Sequence, residues 1–280
     1  MRAYGAGVLA DVVAFLRCPA CGSALALAGP AVRCENGHSY DVARHGYVNL
    51  LKDKGAGTAD TAEMVGARAD FLRAGHYEAI MRTVASEIDP GVGLIVDVGA
   101  GTGDYLAAAL ASAPAAVGLA IDVSVPALRR AGRLDRVGAA VADVWQSLPV
   151  RDGVADVVLN VFAPRNPGEF RRIVRPDGHL VVVTPQETHL AALTSALGLL
   201  TVEPNKLDRL GAALAPHFAP AGRWTVTGQL SLTHADVRAL VAMGPSAHHI
   251  DERDLAERIA QLAEPFAVEF GVHVSSYRPI

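Results

Sequence analysis

Short unbroken apolar runs alternate with helically spaced segments over the middle of this chain. Residues 94–98, 116–121, 138–142, 154–161 and 179–184 read as five strands, with helices over 104–112, 126–133 and near 168–174. Strands that are apolar on both faces, each followed by a helix, predict a parallel sheet covered on both sides. Ahead of them, residues 63–88 are helical in pattern with a break at Gly75. The last third changes character: a strand over 224–232, helices from Thr233 and from Asp251, and a closing strand over 268–277. That strand pair suits an antiparallel addition to the sheet edge. Near the front, an apolar stretch over 25–32 is broken by Gly29-Pro30 and reads as a hairpin. The segment S-Y-D-V-A-R-H-G-Y-V-N-L-L after His38 is too apolar for a linker and is expected to pack on that hairpin. The pattern divides the chain into an arm (1–14), a small module (15–52), a flexible connection (53–62) and a large α/β domain (63–280).

Composition narrows the picture. The chain has 280 residues, is 51% hydrophobic and carries a net charge of −4, which argues against indiscriminate nucleic-acid binding through charge alone. No apolar run reaches the length needed to cross a bilayer. The mildly apolar start is interrupted by Asp11 and lacks an A-x-A-like cleavage site, so a short helix or arm on a cytoplasmic protein is expected. Two arginine clusters, Arg129, Arg130, Arg133 and Arg136, and Arg165, Arg171, Arg172 and Arg175, read first as solvated helix faces, with local patches as the alternative.

The cysteines sharpen the small module. All three sit in C-P-A-C and C-E-N-G-H, so Cys18, Cys21, Cys34 and His38 form a C-x2-C, C-x3-H set. Two turns of a ribbon presenting these donors make a closed tetrahedral site for a structural zinc ion. A fully paired disulfide set fails on parity.

In the large domain, V-D-V-G-A-G-T-G leaves the first strand and opens a helix. Gly99, Gly101 and Gly103 allow a tight turn and close approach to a ligand. Asp97 precedes the first glycine, Asp122 ends the next strand at the spacing of a ribose-gripping carboxylate, and Asp143 ends the third. A dinucleotide site holds a pyrophosphate anion on helix amides. S-adenosylmethionine carries an ammonium and a sulfonium instead, so acids at the strand ends favour it. Asp97 is then assigned to the methionyl end, Asp122 to the ribose and Asp143 to the adenine amino group. After the fourth strand, N-V-F-A-P-R-N-P forms a proline-bounded loop expected to border the site, with Phe162 a stacking surface or a core residue. Tyr77 and His189, taken alone, are as compatible with structural roles.

These motifs carry a resemblance. The chain resembles the RlmA-type 23S rRNA (guanine-N1)-methyltransferases, and within them the tylosin-resistance branch. The matches are C-P-x-C…C-E-N-G-H, D-V-A-R-x-G-Y-V-N-L-L, A-G-H-Y, V-D-V-G-A-G-T-G, A-D-V-W-x-x-L-P, N-V-F-A-P-R-N-P, V-V-T-P-Q-x-x-H-L and V-A-M-G-P-S. The longer stretch ahead of Cys18 is a departure. The resemblance implies a zinc ribbon fused to a class I, Rossmann-like methyltransferase domain. It implies a homodimer whose zinc modules help cradle a 23S rRNA hairpin loop, and cofactor contacts at Tyr77, the Tyr105-Leu106 segment and His189. The implied reaction is attack of guanine N1 on the sulfonium methyl, with Asn160 and Arg165 orienting the nucleotide, and a role in macrolide resistance is a further implication. The proton on N1 requires a base, for which His189 and Glu187 qualify by position only. Two other readings stand beside this one. The first is a methyltransferase for a small molecule or protein, against which the zinc module speaks. The second is a catalytically inactive RNA-binding relative, against which the intact acids and glycines speak.

Overall fold

The computed structural model describes residues 8–52, 59–244 and 251–280. Half of the expected arm (1–7), much of the expected connection (53–58) and the end of V-A-M-G-P-S therefore lie outside the described residues.

A short helix α1 (Leu9–Val12) and a 3-10 turn (Val13–Phe15) lead into an antiparallel ribbon of β1 (Leu25–Ala28), β2 (Ala31–Cys34) and β3 (Ser39–Asp41). Gly29 turns the first hairpin in the left-handed region, at φ 64°. The apolar segment after His38, expected to pack on this ribbon, does so only in part. Only β3 does; β4 (Tyr47–Asn49) pairs in parallel with residues 139–141 at the edge of the large sheet. Its apolar side chains serve the larger core, where Val48 and Leu50 are buried.

Helices α2 (Ala62–Arg73) and α3 (Glu78–Ser86) follow, the first capped by the Thr61 hydroxyl, with the break at Gly75 (φ 84°) where a left-handed turn is needed. The alternating domain then comprises β5 (Leu94–Val98), α4 (Asp104–Ser112), β6 (Val117–Asp122), α5 (Val125–Ala131), β7 (Val137–Val141), β8 (Ala155–Val161), α6 (Pro167–Ile173) and β9 (Val174–Pro185). The C-terminal part adds α7 (Ala191–Leu197), α8 (Lys206–Leu214), β10 (Phe218–Leu232), α9 (His234–Ala242), α10 (Glu252–Ala260) and β11 (Phe266–Pro279). The sheet order is β10-β11-β9-β8-β5-β6-β7-β4, parallel except where β11 pairs antiparallel with β9 and β10 with β11. The expected α/β fold and its antiparallel edge are both present. Helices α7 and α8 are additions the sequence pattern did not reveal. Each is short and entered through a left-handed residue, Leu190 or Asn205 (φ 57° in both), with no side-chain cap to mark its start.

The sheet separates two hydrophobic cores. One face is covered by α2 to α5, α7, α9 and α10. On the other, α1, the ribbon, α6 and α8 share a single cluster in which Cys18, Leu25 and Val32 join Leu119, Val150 and Phe170. The N-terminal arm is thus partly core: Leu9, Val12 and Leu16 are buried, and a Cβ at Gly138 of β7 would collide with Val12. The Arg17 and Arg151 amides donate to Pro149 O and Phe15 O at 3.0 and 2.8 Å, stitching the ribbon to the loop after β7. Four of the eight clustered arginines, Arg136, Arg171, Arg172 and Arg175, have internal partners. Arg136 donates to the carbonyls of Leu110, Ala113 and Ala116 at 2.8–2.9 Å, and Arg172 pairs with Glu169 and Asp152 at 2.6 and 2.7 Å. No helix among the described residues is long and apolar enough to cross a membrane.

Candidate functional site

Two turns of the ribbon bring Cys18, Cys21, Cys34 and His38 together, with one donor atom from each all within 4.8 Å of one another. Cys21 Sγ lies 3.7 Å from Cys34 Sγ, and Cys34 Sγ lies 3.4 Å from His38 Nδ1. Two thiolates on a tetrahedral zinc ion stand roughly 3.8 Å apart, close to the Cys21–Cys34 separation, so the four residues fit the metal. Around them, the Asn36 side-chain amide donates to Cys21 Sγ at 3.4 Å, and the Tyr40 hydroxyl lies 3.3 Å from Cys18 Sγ. Neighbours of this kind orient ligands and tune the sulfurs.

The second site is a cavity of about 210 Å³ at the carboxyl ends of β5 to β8. Asp97, Gly99, Gly101, Asp122 and Asp143 all line it, joined by Tyr77 and Tyr105. The glycine turn is held to β6 by Gly99 N and Ala100 N, which donate to Ile121 O at 2.8 and 3.0 Å. Gly99 and Gly101 are left-handed, at φ 80° and 53°. A Cβ at Gly99 would also collide with Ala163, so the glycine loop and the proline-bounded loop touch backbone to side chain. Gly103 (φ 84°) opens α4 and packs toward Leu134 and Ala131 rather than lining the cavity. Leu106 is fully buried in the core, and its side chain does not reach the cavity either.

The three acids differ in environment. Asp122 accepts from the amides of Gly101 and Ser124, both at 2.8 Å, yet burial still raises its pKa. Asp143 accepts from the Trp145 amide at 2.9 Å. Asp97 is 1% exposed, and its Oδ1 is buried with no hydrogen-bond partner. Burial first, and the Asp122 charge second, push its pKa up to about 8. A buried carboxylate without a donor is an unfilled position for a cation or a donor group. The ammonium of S-adenosylmethionine is such a group. Asp122 and Asp143, the carboxylates expected for ribose and adenine, line the same cavity, so the residues present fit that cofactor.

Phe162 sits at the end of β8 in the left-handed region (φ 51°), a strained conformation for a bulky residue, and is 37% exposed on the cavity wall. Its ring centroid lies 6.2 Å from that of Tyr77, 6.4 Å from Tyr105 and 6.2 Å from His189. His189 stands behind this wall. Its Nδ1 lies 3.1 Å from Gly271 O, and a carbonyl only accepts, so the Nδ1 carries the proton. Burial lowers its pKa to about 4, leaving Nε2 to accept from the Tyr77 hydroxyl at 3.3 Å. Asn160 is fully buried and donates to Val98 O and Pro164 O at 3.1 and 2.9 Å, clamping the loop without facing the cavity. Glu187 accepts from the Asn205 amide at 2.9 Å. Arg165 follows the cavity-lining Pro164 but does not itself line the cavity.

The cavity wall also includes residues that the sequence reading missed. Arg68 donates to Asp60 at 2.7 Å and to Met243 O at 2.9 Å, drawing α2 and the end of α9 together over the site. Trp145, 65% exposed, stands on the rim of the cavity beside Asp143. Its place in A-D-V-W-x-x-L-P was a usable signal. The α2 and α9 contacts join positions with no sequence spacing to betray them.

A glycine-turned, acid-edged cavity at the carboxyl edge of this sheet defines a class I S-adenosylmethionine-dependent methyltransferase. Solved structures of a Bacillus halodurans methyltransferase (TM-score 0.50, 14% identity, covering 71% of this chain and 97% of that one) and of a Haloferax volcanii complex between the Trm112 methyltransferase activator and a methyltransferase (0.50, 16%, 79% and 98%) share the fold. The RlmA N-terminal zinc-ribbon family matches residues 16–52. The 23S rRNA (guanine(748)-N(1))-methyltransferase of Streptomyces fradiae is 48% identical, covering 96% of this chain and 99% of its own. A Micromonospora griseorubida chain described as a 23S rRNA (guanine-N(1)-)-methyltransferase is 50% identical over the same shares. The chain belongs to the 23S rRNA (guanine-N1)-methyltransferase family.

Proposed function

We propose that this enzyme methylates N1 of a guanine in a 23S rRNA hairpin loop, using S-adenosylmethionine and a structural zinc ion. The observation that carries the reading is the union, in one continuous core, of the zinc ribbon and the acid-edged cavity. An unpaired loop exposes the base edge that a duplex hides, and so suits the chemistry.

S-adenosylmethionine, when bound, supplies an electrophilic methyl group. Asp97 holds the methionyl ammonium, Asp122 the ribose hydroxyls and Asp143 the adenine amino group. Tyr77 has its proton directed at His189, so its oxygen keeps lone pairs to accept a hydrogen bond in the cavity. Phe162 provides the face on which the incoming guanine stacks, and Asn160 fixes the loop that carries it. The residues accelerate the reaction mainly by alignment and by keeping water out. His189 serves as a brace for Tyr77 and Phe162, because a neutral imidazole with its acceptor already used is a poor proton acceptor.

The same reading extends to a cytoplasmic homodimer whose paired ribbons cradle the hairpin. It also extends to a contribution to macrolide resistance through the guanine equivalent to the one named for the Streptomyces fradiae relative. Reverse-transcriptase stops on 23S rRNA from cells with and without the protein test the reading, since an N1 methyl blocks Watson–Crick pairing. A new stop in that hairpin supports it. Methyl incorporation into metabolites or proteins with unmodified rRNA overturns it.

A further inference from the structure

The arginine cluster of α5 meets a second basic segment that sequence spacing does not show. Arg129 and Arg130 lie in the last turn of α5 and Arg133 just beyond it, and all three are exposed. Arg44 and His45 lie in the loop between β3 of the ribbon and β4 of the sheet, and Arg44 is exposed too. Two glycines lock these segments together. A Cβ at Gly46 would stand 2.8 Å from Gly132 O, and one at Gly132 would stand 2.8 Å from His45 O. Backbones this close bring Arg44 and His45 alongside residues 129–133 whatever rotamers the side chains adopt. The same stretch backs the cofactor cavity: a Cβ at Gly103, which opens α4, would meet Leu134 and Ala131 at 2.7 and 3.1 Å.

Cations at a helix C-terminus complement its dipole, which accounts for part of this charge. It does not account for Arg133 or Arg44, which lie outside the helix. Among the described residues none of the four arginines is in an ion pair. The acids nearest to them in sequence, Asp41 and Asp135, are exposed and pair with none of them. Partial burial first, then the charges of Arg44, Arg133 and Arg129, lower the pKa of His45, and no carboxylate opposes them. Cations gathered in this way on a chain of net charge −4 make a local field that attracts a polyanion. The large exposed apolar side chains among the described residues are Trp145, Phe162, Leu200, Trp224 and Ile280, and none lies in this patch. A lipid surface needs an apolar face to insert, and unpaired bases need aromatic platforms. Duplex RNA is held by shape and by phosphate contacts, which arginines alone supply. Resting on the RNA reading above, we propose that Arg44, Arg129, Arg130 and Arg133 bind backbone phosphates in the stem of the rRNA hairpin whose loop enters the cavity. Phosphate contacts position a strand while base contacts specify it. The ribbon-to-sheet crossover and α5 grip the stem, and the loop delivers the guanine past Phe162.

The test uses the full-length protein and two unmodified 23S hairpin RNAs, one with its full stem and one cut to a short stem below the same loop. The variants are Arg44→Gln alone, and Arg129→Gln together with Arg133→Gln. On the full stem, both are expected to raise KM for RNA several-fold. The slope of log binding constant against log salt should become shallower by roughly one per arginine replaced. Affinity for S-adenosylmethionine, by calorimetry, should match the wild type. On the short stem the wild type should lose affinity, and the variants should differ little from it. Arg44 lies on a loop, so a fall in RNA affinity in Arg44→Gln at unchanged Tm separates a phosphate contact from a helix-dipole effect. A wild-type enzyme that methylates the full hairpin while both variants match it in KM and salt slope would overturn the stem site alone. An equal loss on both RNAs would also overturn it, by placing the contact at the loop. So would lost binding to phosphatidylglycerol vesicles with RNA affinity unchanged, which would make the patch a lipid surface. A wild-type protein that neither binds nor methylates either hairpin would overturn the RNA reading and this site together.

Discussion

The zinc cluster and the cofactor cavity are built in opposite ways. All four zinc donors come from one stretch of ribbon, and they converge to within 4.8 Å of one another. The cavity draws on β5 to β8, on Arg68 of α2 and on Met243 after α9, and it keeps groups in costly states: a buried carboxylate without a partner and a left-handed phenylalanine. A closed structural site satisfies its own residues once the ion is present. An open site for a cofactor and a second substrate must hold groups that only those ligands satisfy.

The largest expected effect comes from breaking the closed site. Cys34→Ser, or chelation of the zinc, removes a bond network that contributes outright to folding in small zinc modules. The ribbon shares its core with the sheet, so Tm falls, and RNA methylation should drop at least about 100-fold, the scale of a substrate displaced by an ångström. S-adenosylmethionine binding, measured by calorimetry, should persist within several-fold, because the acids lie on the sheet. Equal collapse of both would erase the contrast between the two sites. The link through Arg17 and Pro149 to the loop carrying Trp145 is the route by which some cofactor affinity would be lost.

Asp97→Asn attacks the open site. Losing a charge-assisted hydrogen bond costs about 1.5–3 kcal/mol, or roughly 10- to 100-fold in cofactor affinity. The pH dependence is the sharper readout. Asp97 stays protonated in the free fold up to about pH 8, whereas an aspartate in the unfolded chain ionises near 3.8. The unfolded chain therefore loses this proton first, so the free protein loses stability as pH rises between those values, and the loss is complete above the upper one. Cofactor binding needs the ionised form, so affinity rises with pH toward 8 and binding releases a proton below it. Calorimetry in buffers of different ionisation enthalpy measures that release, and Asp97→Asn should abolish it. An unchanged release in the variant would assign the proton elsewhere.

Gly99→Ala should act on both halves of the cavity at once. The added Cβ is strained at φ 80° and meets Ala163, so either the glycine turn or the proline-bounded loop must shift. Overpacking of this kind costs about 1–3 kcal/mol. The expected signature is a parallel loss of cofactor affinity and of kcat. A variant with normal affinity and rate would show that the loop yields freely.

These differences explain what the sequence disclosed. The zinc ligands were legible because their chemistry is local: spacing alone placed them on two turns. Asp97, Asp122 and Asp143 were legible because parallel strands end at one edge and the residues following them must converge there. Phe162 is on the wall, but its strain is a backbone property that no apolar pattern records. Arg68, Asp60 and Met243 meet only through the packing of α2 against α9, and α8 escaped notice because it lacks a capping signal. The short helix expected at the front is present as α1, but its docking into the sheet's second core, against Gly138, has no local sequence signal.

His189→Ala carries the smallest expected effect and separates two roles for the histidine. A general base contributes about 10²- to 10⁴-fold, so its removal would flatten the acid limb of the rate profile. A brace loses far less. With its Nδ1 proton on Gly271 O and its Nε2 accepting from Tyr77, the neutral ring has no free lone pair to offer. Its pKa near 4 means that protonation disrupts the brace only at low pH. The unfolded chain binds that proton at higher pH, so the fold loses stability as pH falls from about 6.5 toward 4, and His189→Ala removes that slope. We expect kcat to fall by less than about tenfold, with the midpoint of the acid limb unmoved and Tyr77→Phe producing a similar loss. A hundredfold fall, together with a shifted acid limb, would make His189 the base and place a proton acceptor behind the aromatic wall.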